Sequence, residues 1–148
     1  MKGISYEPVP WVHPDDMMLP EEEQTIFYIK QKGIEATNVS VARYNRMAKS
    51  RQAGAAGVED YSPGELTRAD VEEFISTVVK VKNFAFSPSY YERHPEVHKL
   101  ADERGYIPEI EDPDLLREVA RNLPQKVIAD IFEASLDAAK LSAGAKKK

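Results

Sequence analysis

Apolar residues repeat with a helical period through the last third of this chain, and with a strand period in one short stretch near its start. Stepping about 100° per residue from Val127 puts Ile128, Ile131, Phe132, Ala134, Leu136, Ala138 and Ala139 on one arc of about 200°. An ordinary surface helix carries a stripe of roughly 100°. Asp130, Glu133, Asp137 and Lys140 fill the rest of the girth. A helix with so wide an apolar surface is packed on both sides. Either its own domain supplies both, or part of the arc meets another protein, with Ile128, Phe132 and Leu136 on the shared surface.

Local signals mark the helices. Asn122 and Pro124 open the final helix, which runs to about Leu141. Asp112 followed by Pro113 starts the one before it, with Leu115, Leu116, Val119, Ala120 and Leu123 on its apolar side. Pro95 opens a short helix that stops at Gly105. Thr67 and Asp70 resemble a capping box for a helix from Arg68 to about Lys82, with Val71, Phe74, Ile75, Val78 and Val81 on one arc. Its end, VVKVK, is β-branched and could instead become strand. Asn38 caps a helix to about Gln52, with Val41, Tyr44, Met47 and Ala48 inward and Arg43, Arg46 and Lys49 outward.

In PEEEQTIFYIKQK, Thr25, Phe27 and Ile29 share one strand face and Ile26, Tyr28 and Lys30 the other. A lone strand cannot satisfy its own amides, so residues 4–12, residues 34–41 or another subunit must pair with it. The expected fold is therefore mainly α, with about five helices and a minor strand or hairpin near the N-terminus. Four prolines make residues 1–20 an extended arm, docked through Trp11 and Val12 or free. Residues 21–141 form a single domain, with a flexible loop at 53–66 that holds three glycines and a proline. Residues 142–148 form a disordered, lysine-rich tail.

Composition narrows the function classes. Net charge is −5, which argues against general attraction to nucleic acid or anionic lipid. The face of Arg43, Arg46 and Lys49 is the one local positive region; it is a solvated helix face or a nucleic-acid contact. Without cysteine there is no disulfide, thiolate metal site or thiol nucleophile. No window has the run of about 20 apolar residues of a membrane span.

Candidate chemistry is sparse. His94-Pro-Glu-Val-His98 lacks the order of the zinc-protease helix motif, and Pro95 puts His94 at or before the helix start. His13 with Asp15 and Asp16 is a weaker cluster. Glu21, Glu22 and Glu23 make an acidic patch rather than an acid–base pair. There is no phosphate-binding glycine loop and no Gly-x-Ser-x-Gly elbow. The expectation is a non-enzyme without metal or cofactor. Phe84, Phe86, Tyr90 and Tyr91 form an aromatic cluster that serves as core or, if exposed, as partner-binding anchors.

Two pieces carry a family resemblance: PEEEQTIFYIK (Pro20–Lys30), and VKNFAFSP (Val81–Pro88) followed by the LP-x-x-V-I-A-D-I ending (Leu123–Ile131). With these the chain resembles the tail assembly chaperones of long-tailed bacteriophages. The resemblance implies a non-enzymatic protein of the host cytoplasm. It would bind the tape measure protein, keep it soluble, help major tail protein polymerise around it, and be absent from the finished particle. Self-association is compatible with this role. Family members are often made in two lengths by ribosomal frameshifting, and Lys146, Lys147 and Lys148 are consistent with a slippery stretch. The proline-rich arm and the 53–66 loop depart from the family pattern. Two rival readings are a structural virion part, such as a head–tail connector or completion protein, with the arm and residues 24–30 pairing with neighbouring subunits, and a small nucleic-acid-binding regulator using the Asn38–Gln52 helix.

Overall fold

Val78 to Phe84, VVKVKNF, is strand rather than the end of a helix, and the fold turns on this segment. In the computed structural model the described residues are 7–30, 37–42, 45 and 63–145, with backbone alone for 63–67 and 137–145. β1 (Val9–Val12), β2 (Ile26–Ile29), β3 (Val78–Phe84) and β4 (Ile107–Ile110) form one antiparallel sheet in the order β1-β2-β3-β4. Helices α1 (Pro63–Thr77), α2 (Pro88–Arg93), α3 (Pro95–His98), α4 (Pro113–Arg121) and α5 (Gln125–Ala145) are joined by a helical stretch at 37–42.

The mainly α expectation is thus corrected. Beside the helices stands a four-stranded antiparallel sheet, which makes this an α+β fold. The physical reason lies at Thr77. Val71 and Phe74 keep helical spacing up to it, but Val78, Val79 and Val81 are β-branched, and β2 and β4 offer pairing on both sides. The Lys30 amide donates to the Thr77 carbonyl at 2.7 Å, joining β2 to the helix end.

Cross-strand register sorts the two faces. Trp11, Phe27, Val81 and Ile110 lie opposite one another in turn and point to the core. Ile26, Lys82 and Glu109 make a row on the other face. There Lys80 and Lys82 sit over the Tyr28 ring, 4.8 and 5.5 Å from its centroid, and Lys80 pairs with Glu109 at 3.0 Å. Tyr28 opposes Lys80 while Ile29 opposes Val78, so Val79 is a bulge residue, turned outward. Were Val79 paired in strict alternation instead of bulged, Lys80 would face the core and Val81 solvent.

Both edge strands carry a proline, Pro10 in β1 and Pro108 in β4. A proline offers no amide, so further strand addition is weakened there. β2 has a partner on each side. Residues 26–29 therefore have no free edge for a neighbouring subunit. Residues 9–12 of the proline-rich arm belong to the sheet instead.

The helices cover the core face. α1 packs on α4 and α5, and α5 also reaches β2. The wide apolar arc of α5 is explained by this double packing: Ile131 is 1% exposed, Ile128 and Phe132 are buried, and Leu136 is half-buried. Asp112 caps α4 by accepting from the Leu115 amide at 3.0 Å, as its sequence predicts. Gly105 has a φ of 87°, open to glycine without strain, and closes the turn before β4. The helix from Pro95 ends earlier, at His98. α5 reaches Ala145, so its backbone continues through half of the expected tail.

Candidate functional site

The aromatic cluster is core. Phe84, Phe86, Tyr90 and Tyr91 are all under 9% exposed. Phe86 stacks on Tyr90 at 4.2 Å and meets Phe84 edge-on at 4.9 Å. Ser87 opens α2 by accepting from the Tyr90 amide at 3.3 Å, ahead of Pro88. These aromatics, with Ile128 and Phe132, are buried within the chain's own core; a partner would meet them only where they line a cleft. Arg43, Arg46 and Lys49, the 53–62 part of the glycine loop and Lys146–Lys148 lie outside the described residues.

His94 and His98 do not converge. His94 stacks on Tyr90 at 4.2 Å and His98 on Tyr91 at 4.7 Å. Among the described residues no three histidine or acidic side chains gather as a metal site. His13 has a structural task instead. Its Nδ1 accepts from the Asp15 amide at 3.1 Å, and Nε2 lies 2.8 Å from the Asp130 carboxylate on α5. An Nδ1 that accepts leaves the proton on Nε2, which donates to Asp130. His13 is 5% exposed and pins the β1–β2 connection to the last helix.

That connection holds the most exposed apolar surface among the described residues. Met17 is 63% exposed, Met18 91% and Leu19 39%. The chain around them is tied down. Single 3₁₀ turns at Pro14–Asp16 and Glu21–Glu23 flank the tip. The Asp16 carboxylate accepts from the Thr25 amide at 3.0 Å, and Gln24 donates to the Leu19 carbonyl at 3.0 Å. From β3, Asn83 donates to the carbonyls of Glu22 and Gln24 at 2.7 and 3.1 Å, and Arg104 donates to Glu22 at 2.6 Å. A backbone fastened at so many points presents three apolar side chains to water, beside the exposed acids Glu21, Glu22 and Glu23. Sequence reading missed this tip. Its signal is Met-Met-Leu placed between Asp16 and Pro20 in an otherwise polar stretch.

A second feature is a cleft of about 540 Å³ between α2, α3 and the turn before β4. It is lined by Ala85, Phe86, Pro88, Tyr91, Glu92, His98, Arg104, Gly105 and Tyr106. Tyr91 shapes its floor: the hydroxyl donates to the Gly105 carbonyl at 2.6 Å and accepts from the Phe86 amide at 3.3 Å. Arg104 lies over the Tyr106 ring, 5.0 Å from its centroid, and pairs with Asp102 at 3.0 Å. The guanidinium bond holds the Asp102 carboxyl below its ordinary range, and Asp102 in turn raises Arg104.

Burial raises the phenols of Tyr90 and Tyr91, and the Glu118 carboxylate raises Tyr90 further. A phenol with its folded pKa raised contributes stability that is complete below the ordinary value of 10.0 and is lost as pH rises through the raised one. Thermal melts should therefore show a falling midpoint above about pH 10, and Tyr90→Phe should flatten part of the fall. A wild-type midpoint that stays level to about pH 11 would contradict this origin.

No protein-family model, curated protein or solved structure matches the chain. No helix among the described residues is long and apolar enough to cross a membrane.

Proposed function

We propose that this chain is a non-enzymatic assembly chaperone that binds the tape measure protein of a long-tailed phage in the host cytoplasm and covers its apolar helix faces until major tail protein polymerises around it. The observation that carries the reading is the Met17–Met18–Leu19 tip, held open by a fastened backbone. Methionine is unbranched and polarisable, so one methionine surface adapts to many apolar partners. A chaperone for a long helical client must bind many different segments, and this tip suits that need. Glu21, Glu22 and Glu23 beside it favour client segments with flanking lysine or arginine and keep the free surface soluble. The resemblance carried by Pro20–Lys30, Val81–Pro88 and Leu123–Ile131 supplies the identity of the client.

Co-expression is the test. Wild-type chain should raise the soluble fraction of the tape measure protein several-fold. Met17→Ser with Met18→Ser should lose most of that gain. Both side chains are exposed, so stability should move by less than about 0.5 kcal/mol. The reading fails if wild type leaves the client insoluble, or if the double variant protects as well as wild type.

A further inference from the structure

The cleft beside β4 has a charge left over. Arg104 reaches into it, but its guanidinium is committed to Asp102, to the Asn83 side chain and to the Glu22 carbonyl. Asp102 balances its charge at 3.0 Å. Glu92, also in the lining, has no ion pair or hydrogen bond among the described residues. The rest of the lining includes the rings of Phe86, Tyr91, His98 and Tyr106. Phe86 stacks on Tyr90 and Tyr91 on His98, so the partly exposed Tyr106 ring is the one nearest to open for a cation. The Tyr106 ring already serves as a platform for one guanidinium, that of Arg104.

An uncompensated carboxylate in an otherwise neutral lining attracts a cation better than an anion or a neutral ring. The volume of about 540 Å³ holds a long side chain together with its own backbone. We infer that this cleft is a binding site for a cationic side chain, arginine or lysine, presented by a partner polypeptide. The alkyl stem lies against Phe86 and Pro88, and the charged head lies between Tyr106 and Glu92. This site is separate from the Met17–Leu19 tip and does not depend on the chaperone reading.

Single-residue probes test it without any client. N-acetyl-arginine amide and N-acetyl-lysine amide are titrated into the full chain, and the ring signals of Tyr106 and His98 are followed by NMR. Both cationic probes should give saturable shifts at millimolar concentrations. Glu92→Gln should weaken binding roughly five- to tenfold, the loss expected of a charge-assisted contact. Glu92 is exposed, so that variant keeps its fold. Glu103→Gln, an exposed acid outside the cleft lining, should bind as wild type does. N-acetyl-glutamate amide and N-acetyl-phenylalanine amide should not saturate. Absence of saturation with the cationic probes overturns the inference. So does equal binding of the acidic or aromatic probe, or an affinity that Glu92→Gln leaves unchanged.

Discussion

Phe74→Ala should lower folding stability by about 3–5 kcal/mol, the cost of emptying a large aromatic site that cannot close up. Phe74 is 1% exposed in the last turn of α1. Its ring meets Phe27 of β2 edge-on, 6.3 Å between centroids. α1 also packs on α4 and α5, so the void would sit where helix layer and sheet share one core. Neighbours on three elements cannot all move inward together. A domain of this size has roughly 5–15 kcal/mol in total, so the variant would be close to unfolding at ordinary temperature. Urea unfolding checks it through the midpoint, with the slope unchanged. A loss under about 1.5 kcal/mol would mean that the ring is not the shared plug.

Asn83→Val should cost about 3 kcal/mol, and Asn83→Gly about 1–2. Asn83 has a φ of 59°, a left-handed conformation that a β-branched residue adopts only under strain. Glycine removes that strain but also loses the side-chain bonds to Glu22, Gln24 and Arg104. The two variants therefore separate backbone strain from hydrogen bonding, and their order in thermal melts is the test. Glycine melting as low as valine would show that conformation is irrelevant there. The same bonds fasten the segment behind Met17–Leu19. On the chaperone reading, Asn83→Gly should also reduce client solubilisation, although it leaves every methionine in place.

The left-handed turn at Asn83 also affects the sheet. Val81 and Phe84 are three apart, yet both are buried. Strict alternation would send one of them outward. Together with the bulge at Val79, this breaks the period of two twice within seven residues. That is why VVKVKNF read as the end of a helix as readily as a strand. Three β-branched residues among four, Val78, Val79 and Val81, were the available signal, and it was outweighed by the spacing of Val71, Phe74, Val78 and Val81.

The Met17–Leu19 tip was hidden for another reason. Exposure is not a property of a residue type, and in sequence three apolar residues most often mean burial. The aromatic cluster posed the reverse question. Sequence left Phe86, Tyr90 and Tyr91 open between core and partner surface, and stacking within the chain settled their burial. The cleft they border could not be read at all, because Glu92, Arg104 and Tyr106 meet only once α2, α3 and the turn at Gly105 are in place.

Sequence alone determined what is local. The Asp112 cap, the proline starts of α3 and α4, the two-sided apolar arc of α5 and the alternation of β2 all depend on residues within a turn or two of one another, so they could be read along the chain. Tertiary structure decided what is pairwise at long range. β3 became a strand because β2 and β4 lie on either side of it, His13 found Asp130 across the fold, and Met17, Met18 and Leu19 stayed in water because their backbone is fastened from β3 and the Arg104 turn. Such contacts exist only after the chain has closed, and no periodicity within a segment encodes them.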